Sequence, residues 1–269
     1  MNITAHQIWG MAKYEFKMHW RRRALLVLTL SMILILVAPI FLSGDLTNLT
    51  NVDGVSEENV EKALSLSVAI VTWFPLSSVL IFILPVALAD TIPLDKQYNV
   101  DELLRTTPLT PAVYLWGKLI GTWLATLSSV FIVMIIATIA WISQVGKFDY
   151  VLYAEIWLVN AFSITILNGS LGVLLAVGQP NRRRAIVVVI GLFALLVFVL
   201  GFDFGEYWNL ASPARMPMLT YFIPIEGQEE LITTVFNRQV MLSILMGFVE
   251  LLIIWLAAWG WLKYQDNNR

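Results

Sequence analysis

Residues 90–118, DTIPLDKQYNVDELLRTTPLTPAVYLWGK, form a polar island between two long apolar runs and carry their own helix punctuation. Asn99 is a good N-cap, and Glu102 stands three residues on, where the carboxylate of a capping box belongs. Val100, Leu103 and Leu104 then supply a short apolar face. A residue before proline is pushed out of the α region, so Thr107 ends this helix ahead of Pro108. A second start follows at once: Thr110 can cap, and Pro111 suits the first helical position. The spacing predicts a helix of about two turns over residues 99–106, a break, and a new helix from Thr110. A short capped helix between two apolar runs is well suited to receive force from a soluble partner.

Composition sets the surroundings. The chain is 58% hydrophobic and 13% charged, with mean hydropathy +0.76, whereas soluble domains carry roughly 25% charged residues. The net charge of −2 says little about partners, because in a membrane protein the position of each charge matters more. With no cysteine there is no disulfide, no thiol nucleophile and no thiolate metal site. Runs of at least ~18 apolar residues mark membrane spans. They lie near 24–43, 64–89, 112–142, 151–177, 185–204 and 240–262. The expected fold is an all-α integral membrane protein with six transmembrane helices in one membrane domain over residues 1–269. Orientation follows from Lys and Arg: with both termini inside, the cytoplasmic segments hold 13 and the outer ones 4.

Ahead of the first span, residues 3–22, within the segment 1–23, have a helical amphipathic pattern. Ile8, Ala12, Phe16 and Trp20 recur every four residues, with Ala5 and Trp9 beside them, while Lys13, Glu15 and Lys17 fall largely elsewhere. Such a helix is expected to lie in the membrane interface, apolar face down. Arg21-Arg22-Arg23 then abuts an apolar run longer than the ~7–15 residues of a signal peptide, so that run reads as an uncleaved first span. Between the fifth and sixth spans, residues 205–239 are too apolar for water, yet Pro213, Pro217 and Pro224 forbid one continuous helix. Re-entrant or interfacial helices fit best, acting either as a gate or as a packing cap.

Residues 90–118 resemble the segment joining the second and third spans of ABC-2-type ABC transporter permeases. Asp90, the run Asp101-Glu102-Leu103-Leu104, Thr107-Pro108 and Gly117-Lys118 match it in order and approximate spacing. The family often has Gly before the acidic-leucine run, where this chain has Asn99-Val100; Asn tolerates left-handed and capping conformations. The resemblance implies a permease subunit, export more often than import, and a multi-pass place in the cell inner (cytoplasmic) membrane. It further implies a second permease copy or paralogue, two separate ABC ATPase subunits that hold ATP and Mg, and membrane lipid as partners, with no nucleic acid. Coupling to the ATPase would run through Asn99, Val100, Asp101, Glu102, Leu103, Leu104 and Arg105.

Individual residues sharpen the alternatives. Glu250 lies near the middle of the last span, where a carboxyl costs about 2.5–3.5 kcal/mol on translocon scales. Asn160 lies at a similar depth, within ~1.5 Å by helical rise, which makes it the natural hydrogen-bond partner. Glu250 is either such an interhelical group or the proton site of an ATP-independent secondary transporter. A non-transporting membrane anchor or regulatory subunit is the third class. Gly117, Gly121, Ala125 and Ser129 repeat at four-residue steps and form a ridge for close helix packing, within the subunit or across a dimer. No GxxxxGK[ST] loop is present, so ATP is expected on a partner. The two histidines, His6 and His19, lie in the N-terminal helix, and no Ser/His/Asp set is recognisable. No catalytic, cofactor or metal site is therefore expected on this chain.

Overall fold

Thr110 opens the longest described helix: its side chain accepts the Val113 N–H at 3.4 Å, and Pro111 takes the first helical position. The computed structural model describes residues 3–21, 23–42, parts of 64–88, 89–98, 109–195 and 238–267. In chain order its helices are α1 (Ile3–Arg21), α2 (Arg23–Leu42), α3 (Thr91–Gln97), α4 (Pro111–Val145), α5 (Tyr150–Leu175), α6 (Arg182–Ala194) and α7 (Arg238–Asn267). The described positions of 64–88 are helical too, and no strand occurs among the described residues. Among the described residues three helices are long and apolar enough to cross a membrane: α4, α5 and the Leu245–Gln265 part of α7. They match the expected spans 112–142, 151–177 and 240–262. The protein is thus all-helical and of membrane-embedded type. Residues 99–106 and 205–237 lie outside the described residues.

Local chemistry sets the turns between these helices. Gly146, at φ 84°, ends α4 in the left-handed region that a side chain would strain, and its N–H bonds Ile142 O at 3.2 Å. Three residues on, Asp149 accepts the N–H groups of Val151 and Leu152 at 3.0 and 3.1 Å and starts α5. Asn181 caps α6 in the same way through Arg184 N–H, at 3.0 Å. Between helices, indole N–H groups reach hydroxyls: Trp123 donates to Ser170 at 2.8 Å and Trp141 to Thr72 at 3.0 Å. Around them Met32, Leu80, Leu84, Leu115, Trp157 and Ile164 form one buried core. Gly172 lets α5 close on the helical residues 83–88, since a Cβ there would collide with the Pro85 backbone.

The packed face of the N-terminal helix departs from the expected apolar stripe. Helix α1 runs along the start of α4 in the same direction, Met11 beside Gly117, His19 beside Thr122 and Trp20 beside Ser128. Its packed face is Met11, Ala12, Glu15 and His19, all buried. That face is rotated by roughly 60° from the Ile8–Ala12–Phe16–Trp20 stripe, at 3.6 residues per turn. Glu15, expected on the polar side, points inward instead. The reason is the small-residue ridge: Gly117, Gly121, Ala125 and Ser129 are all buried and admit α1 to close range. A Cβ on Gly121 would stand 2.6 Å from both Ala12 O and Glu15 Cβ.

Gly121→Ala is therefore expected to destabilise the detergent-solubilised protein by ~1–3 kcal/mol, the usual range for overpacking. Gly191→Ala, with nothing within 4 Å of its Cβ, should be neutral or stabilise by up to ~1 kcal/mol. Thermal unfolding of the two variants side by side checks this; equal midpoints would contradict the close approach.

Candidate functional site

At the N-terminal end of α4 one lysine gathers three parts of the chain. Lys118, the single charged residue of α4, is fully buried. Its Nζ is 2.6 Å from Glu15 Oε2 of α1 and 2.6 Å from Asp95 Oδ2 of α3. Tyr114, one turn earlier on α4, donates its hydroxyl to the same Asp95 oxygen at 2.8 Å, and its ring centroid lies 5.7 Å from the ammonium. On α1, His19 Nε2 is 3.2 Å from Glu15 Oε1 and 3.1 Å from Thr122 Oγ1. Buried charges persist when they are paired and hydrogen-bonded, and here each has partners on a different helix.

The helix that supplies Asp95 is tied at two further points. Lys96 donates to Val177 O at 2.7 Å, beside the C-terminal end of α5, where a cation meets the free carbonyls favourably. Asp90, at the N-cap of α3, is 3.2 Å from Arg182 Nε of α6. Thr91, Ile92, Pro93 and Asp95 are buried. The short α3, only 7 residues long, is thereby tied to α4, to α6 and to the backbone just after α5, and through Lys118 to α1, immediately before residues 99–106.

The level of this cluster follows from helix length. At 1.5 Å per residue the 35 residues of α4 extend about 52 Å, some 20 Å more than a ~30 Å hydrocarbon core requires. Lys118 stands in the first turns, about 10 Å from the N-terminal end of that length. Burial pushes the Glu15 carboxyl up, but the Lys118 ammonium and the His19 ring beside it outweigh this and hold it at about 2, below its ordinary 4.5. No group of three His, Cys, Asp or Glu side chains placed to hold a metal ion occurs among the described residues. What the cluster does show is a set of buried ion pairs through Lys118 that joins α1, α4 and α3.

The sequence-derived candidates are distributed as follows. Asn99, Val100, Asp101, Glu102, Leu103, Leu104 and Arg105 lie outside the described residues. The ridge Gly117–Ser129 holds α1 within the subunit. Asn160 and Glu250 lie on packed neighbours, α5 and α7, but share no hydrogen bond. The Asn160 amide donates to Ile156 O of its own helix at 2.7 Å, and neither its Oδ1 nor Glu250 Oε2 has a hydrogen-bond partner among the described residues. Nearby, Phe162, Ser163, Ile166 and Phe248 help line an apolar recess of about 290 Å3 between α5 and α7. Sequence reasoning missed Glu15, Asp95 and Lys118 as a group because 103 positions separate Glu15 from Lys118 and 23 separate Asp95 from it, so no local pattern marks either pairing. Two signals could have found them: Lys118 sits directly on the small-residue ridge, and Met11, Glu15 and His19 recur every four residues. The chain matches no protein-family model, and no curated protein matches it significantly.

Removing Lys118 would strand two buried carboxylates. Lys118→Met should cost ~3–5 kcal/mol, the range for breaking a buried pair from one side, read as a lowered unfolding midpoint of the purified protein. The Glu15 carboxyl, depressed in the folded state, contributes stability that is complete above pH 4.5 and is lost as pH falls toward 2. Glu15→Gln should therefore be less stable at neutral pH and flatter in its acid dependence than wild type. Parallel acid-unfolding profiles for the two would remove Glu15 from the clamp.

Proposed function

We propose that this chain is the membrane subunit of an ATP-driven transporter, of the ABC-2 permease kind, with six spans and both termini in the cytoplasm. The observation that carries the reading is the clamped α3. It lies between span two and residues 99–106 and is held by Asp95–Lys118, Asp90–Arg182 and Lys96–Val177 O. A segment pressed by an ATPase partner must pass displacement on rather than absorb it. Polar ties from one short helix to α4, to α6 and to the backbone just after α5, with α1 joined through Lys118, suit that task. Closure of an ATPase dimer on ATP would press residues 99–106, drive α3, and shift these helices together between inward- and outward-facing arrangements. Export is the direction that the resemblance favours.

Leu103 and Leu104 test the contact. Burying each contributes ~1.5–3 kcal/mol wherever it packs, so what is lost upon truncation tells the cases apart. Leu103→Ala/Leu104→Ala should leave insertion and thermal stability of the isolated subunit intact, and weaken co-purification of a stoichiometric ATPase in detergent. Unchanged ATPase association, hydrolysis and transport would exclude residues 99–106 as the coupling element. Orientation is accessible because the chain has no cysteine. An impermeant thiol reagent outside intact cells should label Asn237→Cys and spare Asn99→Cys, and the reverse pattern would refute the topology.

The Glu250 carboxyl supports a second reading, a proton-coupled transporter, since Oε2 is buried without a hydrogen-bond partner among the described residues. Gln keeps most of its bonding capacity and cannot exchange a proton. Under the first reading Glu250→Gln is expected to retain both expression and transport. A well-folded but inactive Gln variant would favour the second.

A further inference from the structure

Helices α5 and α7 pack side by side, yet their seam is not closed along its length. Between them lies the apolar recess of about 290 Å3. Leu167 and Ser163 line it and are buried, while Leu158, Phe162 and Phe248 are 39%, 43% and 49% exposed. The recess therefore opens sideways, away from the bundle. Ser163, the one polar residue among its described lining residues, already donates its hydroxyl to Val159 O at 2.8 Å. Neither Asn160 nor Glu250 is among those residues. By helical rise Phe162 stands about 18 Å along α5 and Phe248 about 15 Å along α7, a depth within the ~30 Å hydrocarbon core of a bilayer.

The lining selects the occupant. A buried water needs roughly two to four polar partners, and these walls offer at most one, the Ser163 oxygen. The volume is about twice the ~150 Å3 of a cavity lined by Leu, Ile and Phe that stays dry and binds benzene. Unfilled walls would forfeit their dispersion contacts on one side. Where α5 and α7 cross a bilayer, the medium at the open side is hydrocarbon chain. We propose that the recess holds one acyl chain of a bilayer phospholipid, wedged between α5 and α7 as part of their packing. Entry from the bilayer brings the chain no hydrophobic gain, because both surroundings are apolar. Its hold is van der Waals packing, so the preference is modest in size and local in place. This inference needs α5 and α7 to cross a bilayer and needs no ATPase, so failure of the coupling reading leaves it standing.

The test uses the full chain in phosphatidylcholine nanodiscs doped with a phospholipid that carries a diazirine in the middle of one acyl chain. After photolysis, mass spectrometry of the peptides locates the labels. Ile135 and Ile139 of α4 serve as controls, because they are 58% and 63% exposed and lie outside the recess. Ile135 is about 15 Å from the turn joining α4 to α5, against about 18 Å for Phe162, so depth is matched. Random contact with surrounding lipid would label the more exposed α4 positions at least as strongly. A seated chain should instead label Phe162 and Phe248 at least about twofold more strongly than the controls. Ser163→Phe, which fills the recess, should remove that excess and leave the α4 labels unchanged. Ile166→Trp fills it from another lining position and should do the same, which keeps the test decisive if Ser163→Phe does not fold. Recess labels no stronger than the controls, or an excess that survives filling, overturn the proposal. Labelling of the recess by a diazirine alkane without a headgroup, but not by the phospholipid, also overturns it and makes the occupant a free apolar molecule.

Discussion

A lysine ammonium buried between two carboxylates is the constraint from which the rest of this architecture follows. Lys118 cannot lie inside the protein alone, because an unpaired buried charge costs several kcal/mol. Glu15 must therefore come from α1 and Asp95 from α3, and each brings its helix along. Glu15 can arrive only if the backbone of α1 approaches α4 closely, which the absence of side chains at Gly117 and Gly121 permits. The ridge of small residues and the ion cluster are thus one device, contact on one side and charge on the other. Neither would be stable without its counterpart: a dry, close interface strengthens the ionic contacts, and the ionic contacts fix the rotation of α1 about its own axis.

Much of the helical framework was legible from local sequence. Apolar runs located α4, α5 and α7, and the Thr110-Pro111 pair marked the start of α4 within its capping geometry. These signals are local: hydropathy sums over one segment, and a cap bonds three residues on. The cluster was not legible, because opposite charges far apart in sequence carry no mark of their pairing. The face of α1 was misjudged for a related reason. Periodicity ranks side chains by apolarity, yet the neighbour here offered a lysine, so the buried face includes Glu15 and His19 in place of Phe16 and Trp20. Helix α3 was also missed. The capping signal at Asn99 and Glu102 drew attention downstream, while Thr91–Gln97 has a proline and little apolar periodicity, and is held mainly by long-range ties.

The polar groups within the bundle show the same division. Trp123, Trp141 and Trp20 find hydroxyl partners on neighbouring helices at 2.8 to 3.2 Å, as an apolar setting demands of a buried N–H. Depth matching brought Asn160 and Glu250 into consideration as a pair, but depth fixes only one coordinate. Rotation of each helix decides whether the groups meet, and Asn160 turns its amide to the Ile156 carbonyl instead. Helical rise can be counted along a sequence; azimuth depends on the neighbours.

The unbroken length of α4 has a mechanical consequence. A helix of 35 residues with no proline after its first position acts as a stiff rod of about 52 Å. Lys118 grips it near one end. If the rod pivots at that grip by some 10°, the far end sweeps about 7 Å, since roughly 40 Å of helix lies beyond Lys118. A displacement of 1 to 2 Å at the grip end, on the order of a helix shift at an interface, is thereby magnified several-fold at the opposite membrane surface. The placement of the clamp at one extremity, rather than mid-helix, gives α4 the leverage of a long arm driven from a short one.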